Sequence, residues 1–142
     1  MYSEDFELFE PIHFLELSEE LYDKMDKLES KSSAIKRTIV NRAYYAAFLY
    51  IRQWLINEGK FTSRGPIDHS EVPNAIIGNT PTWEVFEKDL RDKLIGLGKN
   101  RRHCDYYFEL PSFEGKNGKY FEWKLEDLIY NSRELISKFE NF

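Results

Sequence analysis

One cysteine, Cys104, stands in 142 residues, which excludes an internal disulfide and a cysteine-based zinc site and fits a reducing compartment. Histidine is nearly as scarce. His13, His69 and His103 are widely separated and show no ligand spacing, so neither a structural metal nor a cofactor is expected. No apolar run approaches the ~20 residues of a membrane-spanning helix. The first residues, MYSEDFELFEP, are acidic and lack a basic region followed by an apolar stretch, so they do not read as a secretory signal and a cytoplasmic protein is expected. The net charge of −5 argues against a surface coated in basic residues for nonspecific nucleic-acid binding, while leaving room for a local basic site.

What is present is apolar periodicity. A hydrophobic fraction of 42% and an aromatic fraction of 16% exclude disorder, and the length suits a single domain, 1–142, with one core. Residues 12 to 29 predict a first helix with Phe14, Leu17, Leu21, Met25 and Leu28 on its inner face. Ser32 or Ser33 then caps a second helix from 34 to 57, closed by Gly59. That helix is apolar over most of its circumference, which makes it central, and Ala43, Ala46 and Ala47 permit close approach at its middle. A short helix is expected from 70 to 77, stopped by Gly78. Thr80 and Pro81 start the next as cap and first residue, and a last helix spans 121 to 139. Residues 106 to 118 read as a loop or small hairpin. The fold class is therefore all-α: an up-and-down antiparallel helical bundle of four long helices plus one short helix.

One residue breaks the pattern. Stepping back from Cys104 by threes and fours gives Arg101, Leu97, Leu94, Leu90, Phe86 and Trp83, the core-facing series of a helix with an arginine in it. A buried guanidinium is costly without partners, and Asp105 lies four residues on, within reach on the same face. The pair marks either a structural ion pair that fixes the bundle's register or a polar site. On the second helix Asn41, Tyr45 and Arg52 fall near one line, with Arg42 three residues before Tyr45. Tyr44 and Tyr45 suit a core as well as a stacking surface, and Tyr45 is the better site residue because it lies beside Arg42. His69, between Asp68 and Ser70, suits a helix start as well as a base. Lys99, Arg101 and Arg102 with Tyr106 and Tyr107 can bind phosphate and stack bases, or simply complement a helix C-terminus.

NRAYYAAFLYIRQWL at 41 to 55, HSEV at 69 to 72 and NRRHCDYY at 100 to 107 together resemble the HEPN superfamily, small helical bundles of prokaryotic defence and toxin–antitoxin systems. The likeness covers nearly all of the chain after residue 34, and its best part is Arg42 to Ala47. It implies binding of RNA or a nucleotide, a homodimer with two arginine motifs across one cleft, and a nucleotidyltransferase-type partner. Many members are metal-independent endoribonucleases with an Arg, four to six variable residues, then His. Arg101, Cys104, Asp105 and Tyr106 match instead a branch with Arg, two residues, a small residue, Asp and Tyr, so Tyr106 stands where the nuclease histidine would be.

Metal-free RNA cleavage needs a base for the ribose 2′-hydroxyl and a cation for the charge that develops on phosphate. Arg101 supplies the cation. A phenol that ionises near 10 is a poor base at neutral pH, and His103 projects with Lys99 and Asp92 onto the polar face. The resemblance thus assigns Arg101 to phosphate, Asp105 to orienting Arg101 and Tyr106 to hydrogen bonding or stacking, as the catalytic set if the chain is an enzyme. Arg42, Tyr45, His69, Arg102 and Tyr107 form the surrounding nucleic-acid or nucleotide-binding set. The alternative is a noncatalytic interaction or scaffold protein.

Overall fold

The computed structural model describes residues 10–25, 27, 32–106 and 123–142. Within them the chain is all-α: α1 (Ile12–Lys24), α2 (Ser32–Asn57), a short α3 (Asp68–Ala75), α4 (Glu84–Tyr106) and α5 (Leu125–Glu140), with a 3-10 turn at Gly65–Ile67 leading into α3. α2 is packed by α1, α4 and α5 and also meets α3, while α4 touches α3 and α5, and α1 touches α5. The apolar circumference of α2 explains its central place. Ile39, Val40, Ala43, Tyr44, Ala46, Ala47, Phe48, Ile51 and Leu55 are all buried, which spans several faces of one helix.

Two buried serines tie its neighbours to it. Ser18 of α1 donates to the Ile39 carbonyl at 3.0 Å, and Ser132 of α5 donates to the Ala43 carbonyl at 2.7 Å. The alanines make such approaches feasible, because a larger side chain there would hold the helices apart. Gly59 ends α2 at φ +71, with the Lys60 N–H on the Leu55 carbonyl, a left-handed cap that disfavours any residue with a Cβ. On α4, a Cβ at Gly96 would stand 2.4 Å from the Trp123 ring, and one at Gly98 would stand 3.3 Å from Tyr44. Both glycines serve close contact.

Several boundaries and faces differ from the sequence reading. α2 begins at Ser32 rather than 34, and Ser33 sits within its first turn, accepting a bond from Arg37 Nε instead of from a backbone N–H. α3 begins at Asp68 rather than 70. On α1 the buried pair is Leu15 and Ser18, whereas Leu17 is 39% exposed, and Leu28 lies outside the described residues. α5 opens at Leu125, with Phe121 and most of the aromatic run and expected hairpin after Asp105 outside the described residues.

The larger correction concerns the start of α4. The helix begins at Glu84, and Thr80 gives its hydroxyl to Glu87 at 2.6 Å rather than capping. Trp83 is 77% and Phe86 57% exposed, so they do not belong to the core stripe. Glu87 takes that place, buried, accepting from the backbone N–H groups of Gly78 at 2.9 Å and Thr80 at 3.1 Å. The buried stripe therefore runs Glu87, Leu90, Leu94, Leu97, Arg101, Cys104, with Arg101 mostly covered. The loop's backbone donors draw the carboxylate inward, and the two aromatic rings turn outward.

Candidate functional site

Arg101 stands on that stripe with its side chain only 12% exposed. Its Nη1 bonds Asp105 Oδ2 at 3.1 Å, one helical turn on, and the guanidinium carbon lies 5.1 Å from the Tyr44 ring centroid and 5.8 Å from that of Tyr45. Two aromatic faces and one carboxylate thus compensate for the lost water. Burial acts to lower the Arg101 pKa, but the Asp105 hydrogen bond and the neighbouring phenols outweigh it, so the pKa lies above its ordinary value and the cation persists. Its Nε is buried with no hydrogen-bond partner among the described residues.

α3 brings His69 to the same place. The anchor is Asp68, buried, whose carboxylate accepts from the Ser63 hydroxyl at 2.6 Å and the Arg64 backbone N–H at 2.7 Å, and pairs with Arg52 of α2 at 3.5 Å. Burial alone would raise the Asp68 pKa; the Ser63, Arg64 and Arg52 contacts together hold it below its ordinary value. With Asp68 fixed, the His69 ring stacks on Phe48 with centroids 4.3 Å apart and planes 10° apart, and Tyr45 meets it edge-on at 5.8 Å. The Tyr44 hydroxyl lies 2.6 Å from His69 Nδ1. Burial, then the positive charges of Arg101 and Arg52, lower the His69 pKa from 6.5 against the pull of Asp68, so the ring is neutral at pH 7. Burial likewise pushes the Tyr44 phenol up to about 12, against the pull of Arg101, so it keeps its proton.

Tyr44, His69, Ser70, Pro73, Leu94, Ile95, Gly98, Arg101 and Arg102 line a cleft of about 110 Å³ between α2, α3 and α4. Gly98 leaves the space that a side chain on α4 would fill. A larger cavity of about 460 Å³ lies elsewhere, against Tyr50, Trp54 and Glu140, and shares no lining residue with the cleft.

Of the residues expected from sequence, Arg101, Asp105, Tyr45 and His69 are brought together, and Arg102 is exposed at the cleft wall. Arg42 is not brought there: its guanidinium lies 4.8 Å over the Phe14 ring of α1, because its step along α2 turns it to the opposite neighbour. The side chain of Tyr106 and all of Tyr107 lie outside the described residues. His69 does not cap α3, whose N-cap is Ile67. Cys104 is buried, its thiol pushed up to about 12 by burial, while its carbonyl accepts from Arg37, so it is a packing residue.

Sequence reasoning missed Tyr44 and Asp68. Tyr44 looked like core, and it is core, yet its hydroxyl reaches the cleft. A buried tyrosine's need for a partner was the available signal. Among the described residues no group of three or more His, Cys, Asp or Glu side chains is placed to hold a metal ion, and no helix is long and apolar enough to cross a membrane.

No family model, no curated protein and no solved structure matches this chain. What the site can do follows from its own geometry: a covered cation, a neutral imidazole and a second arginine around a small cleft suit an anionic oxygen group.

Proposed function

We propose that this chain is a HEPN-like protein of a prokaryotic toxin–antitoxin or defence system that binds RNA or a nucleotide through a phosphate held at Arg101. The carrying observation is that Arg101, following Leu90, Leu94 and Leu97 on the buried stripe, lines a cleft beside His69 and Arg102 and has an Nε without a partner among the described residues. A purely structural arginine has no need of a cleft beside it. In this reading Asp105 orients the guanidinium through its 3.1 Å bond and Tyr45 and Tyr44 shield it, while Tyr106 and Tyr107 keep the hydrogen-bonding or stacking roles that the resemblance implies. If the protein cleaves RNA, it does so without a metal, with Arg101 stabilising charge on phosphate.

The test is binding and cleavage of a single-stranded oligoribonucleotide in EDTA. Arg101→Ala is expected to weaken binding by about 100-fold, the scale of losing a covered charge contact, with the helical circular dichroism spectrum retained. Unchanged binding removes the proposal. Cleavage that survives the substitution assigns the nuclease elsewhere.

The second reading is a noncatalytic interaction or scaffold protein that pairs with a nucleotidyltransferase-type partner. It is favoured by the Asp105 pair and the two tyrosine faces, which already compensate Arg101. Either reading includes a homodimer in which two Arg101 clefts face one groove. Light scattering at high concentration is expected to give twice the 17.0 kDa chain mass, and a strict monomer eliminates the shared groove.

A further inference from the structure

A histidine near phosphate can remove a proton or donate a hydrogen bond, and which it does depends on where its single hydrogen sits when neutral. The surroundings of His69 decide this. Its ring is clamped by Phe48 on one face and Tyr45 at the edge, so it cannot turn over freely. The hydrogen-bond partner of its Nδ1 is the hydroxyl of Tyr44, at 2.6 Å. The Arg101 cation, 5.1 Å from the Tyr44 ring, draws electrons from the phenol, which makes its O–H a better donor and its oxygen a poorer acceptor. The same positive field favours a lone pair rather than an N–H at Nδ1.

We propose that the Tyr44 hydroxyl donates to His69 Nδ1 and thereby locks the ring with its hydrogen on Nε2, so that His69 is a neutral donor to a phosphodiester oxygen and not the base of a nuclease. This rests on the phosphate reading above and specifies the ligand class. At about 110 Å³ the cleft has room for a few waters at ~30 Å³ each, and it is far below the ~300–1,000 Å³ of sites that enclose a small molecule. One phosphate group fits; a nucleoside stays outside. Asp105 offsets Arg101 and His69 is neutral, so Arg102 leaves the cleft with a single net positive charge, the match for a phosphodiester monoanion rather than a monoester dianion. Recognition is then of the chain's backbone, with no base read in the cleft.

Two measurements test it on the full chain. Long-range proton–nitrogen NMR of histidine-labelled protein at pH 7 is expected to show His69 protonated at Nε2, with Tyr44→Phe bringing in the Nδ1-protonated form. Fluorescence anisotropy with a single-stranded oligoribonucleotide in EDTA is expected to show about tenfold weaker binding for His69→Ala. His69→Gln, whose amide N–H reaches the Nε2 position, recovers to within about threefold of the unmodified protein. A ring protonated at Nδ1 overturns the His69 assignment even if RNA binds, as does a glutamine variant no better than alanine. Failure of the unmodified protein to bind RNA overturns the phosphate reading beneath it, whatever the ring's tautomer.

Discussion

Phe48→Ala is expected to lower the unfolding free energy by about 3–5 kcal/mol, the usual cost of removing a buried aromatic ring. Phe48 is buried on α2 and stacks on His69 at 4.3 Å and on Tyr44 at 5.5 Å, with the Arg52 guanidinium 5.7 Å over it. α3 is a helix of 8 residues, too short to persist without tertiary contacts, so the void opens where it docks. The loss therefore exceeds ring transfer alone, because His69 loses the face that holds it against α2. Urea denaturation at pH 7 measures the cost, and an unchanged slope with a lower midpoint is the expected form. A loss below about 1 kcal/mol would mean that the site closes over the cavity and that the His69 stack contributes little.

Glu87→Ala is expected to cost about 2–4 kcal/mol, because it leaves the Gly78 and Thr80 N–H groups and the Thr80 hydroxyl without their charged acceptor. Its pH dependence has a definite sign. Burial raises the Glu87 pKa, but the Thr80 hydroxyl and the backbone N–H groups of Gly78, Thr80 and Asn79 outweigh it, and the folded value lies below the ordinary 4.5. The stabilisation is thus present above pH 4.5 and is lost as pH falls through the lower folded value. Denaturation midpoints compared at neutral pH and below 4.5 should converge between the natural protein and the variant as the pH falls. A gap that persists undiminished in acid would show that packing, not the ionised carboxylate, carries the effect.

Much of this molecule is legible in the sequence where one element decides its own fate. α2 declares itself central because apolar residues cover several of its faces, and Arg101 declares itself anomalous because the three- and four-residue steps around it are otherwise apolar. Glu87 is not legible in that way. Trp83 and Phe86 satisfy the same period, and the carboxylate turns inward only because a loop seven to nine residues away offers it donors. Asp68 and Arg52 are 16 positions apart on two helices, so their pairing appears only when α3 docks on α2. Tyr44 and Tyr45 differ by 100° around one helix, and sequence favoured Tyr45 through its spacing from Arg42. Docking reverses the emphasis: Arg42 turns to Phe14, and it is Tyr44 whose hydroxyl meets His69.

The central claim is that the charge of Arg101 serves a phosphate ligand rather than the fold. Arg101→Met combined with Asp105→Asn keeps the bulk of both side chains and removes both charges, an exchange that a covered ion pair commonly tolerates with little loss of stability. The deciding measurement is the affinity of this double variant for a single-stranded oligoribonucleotide in EDTA, taken beside its thermal midpoint. The account predicts a midpoint near that of the natural protein and binding weaker by about 100-fold. Binding as tight as that of the natural protein, at an equal midpoint, would contradict it.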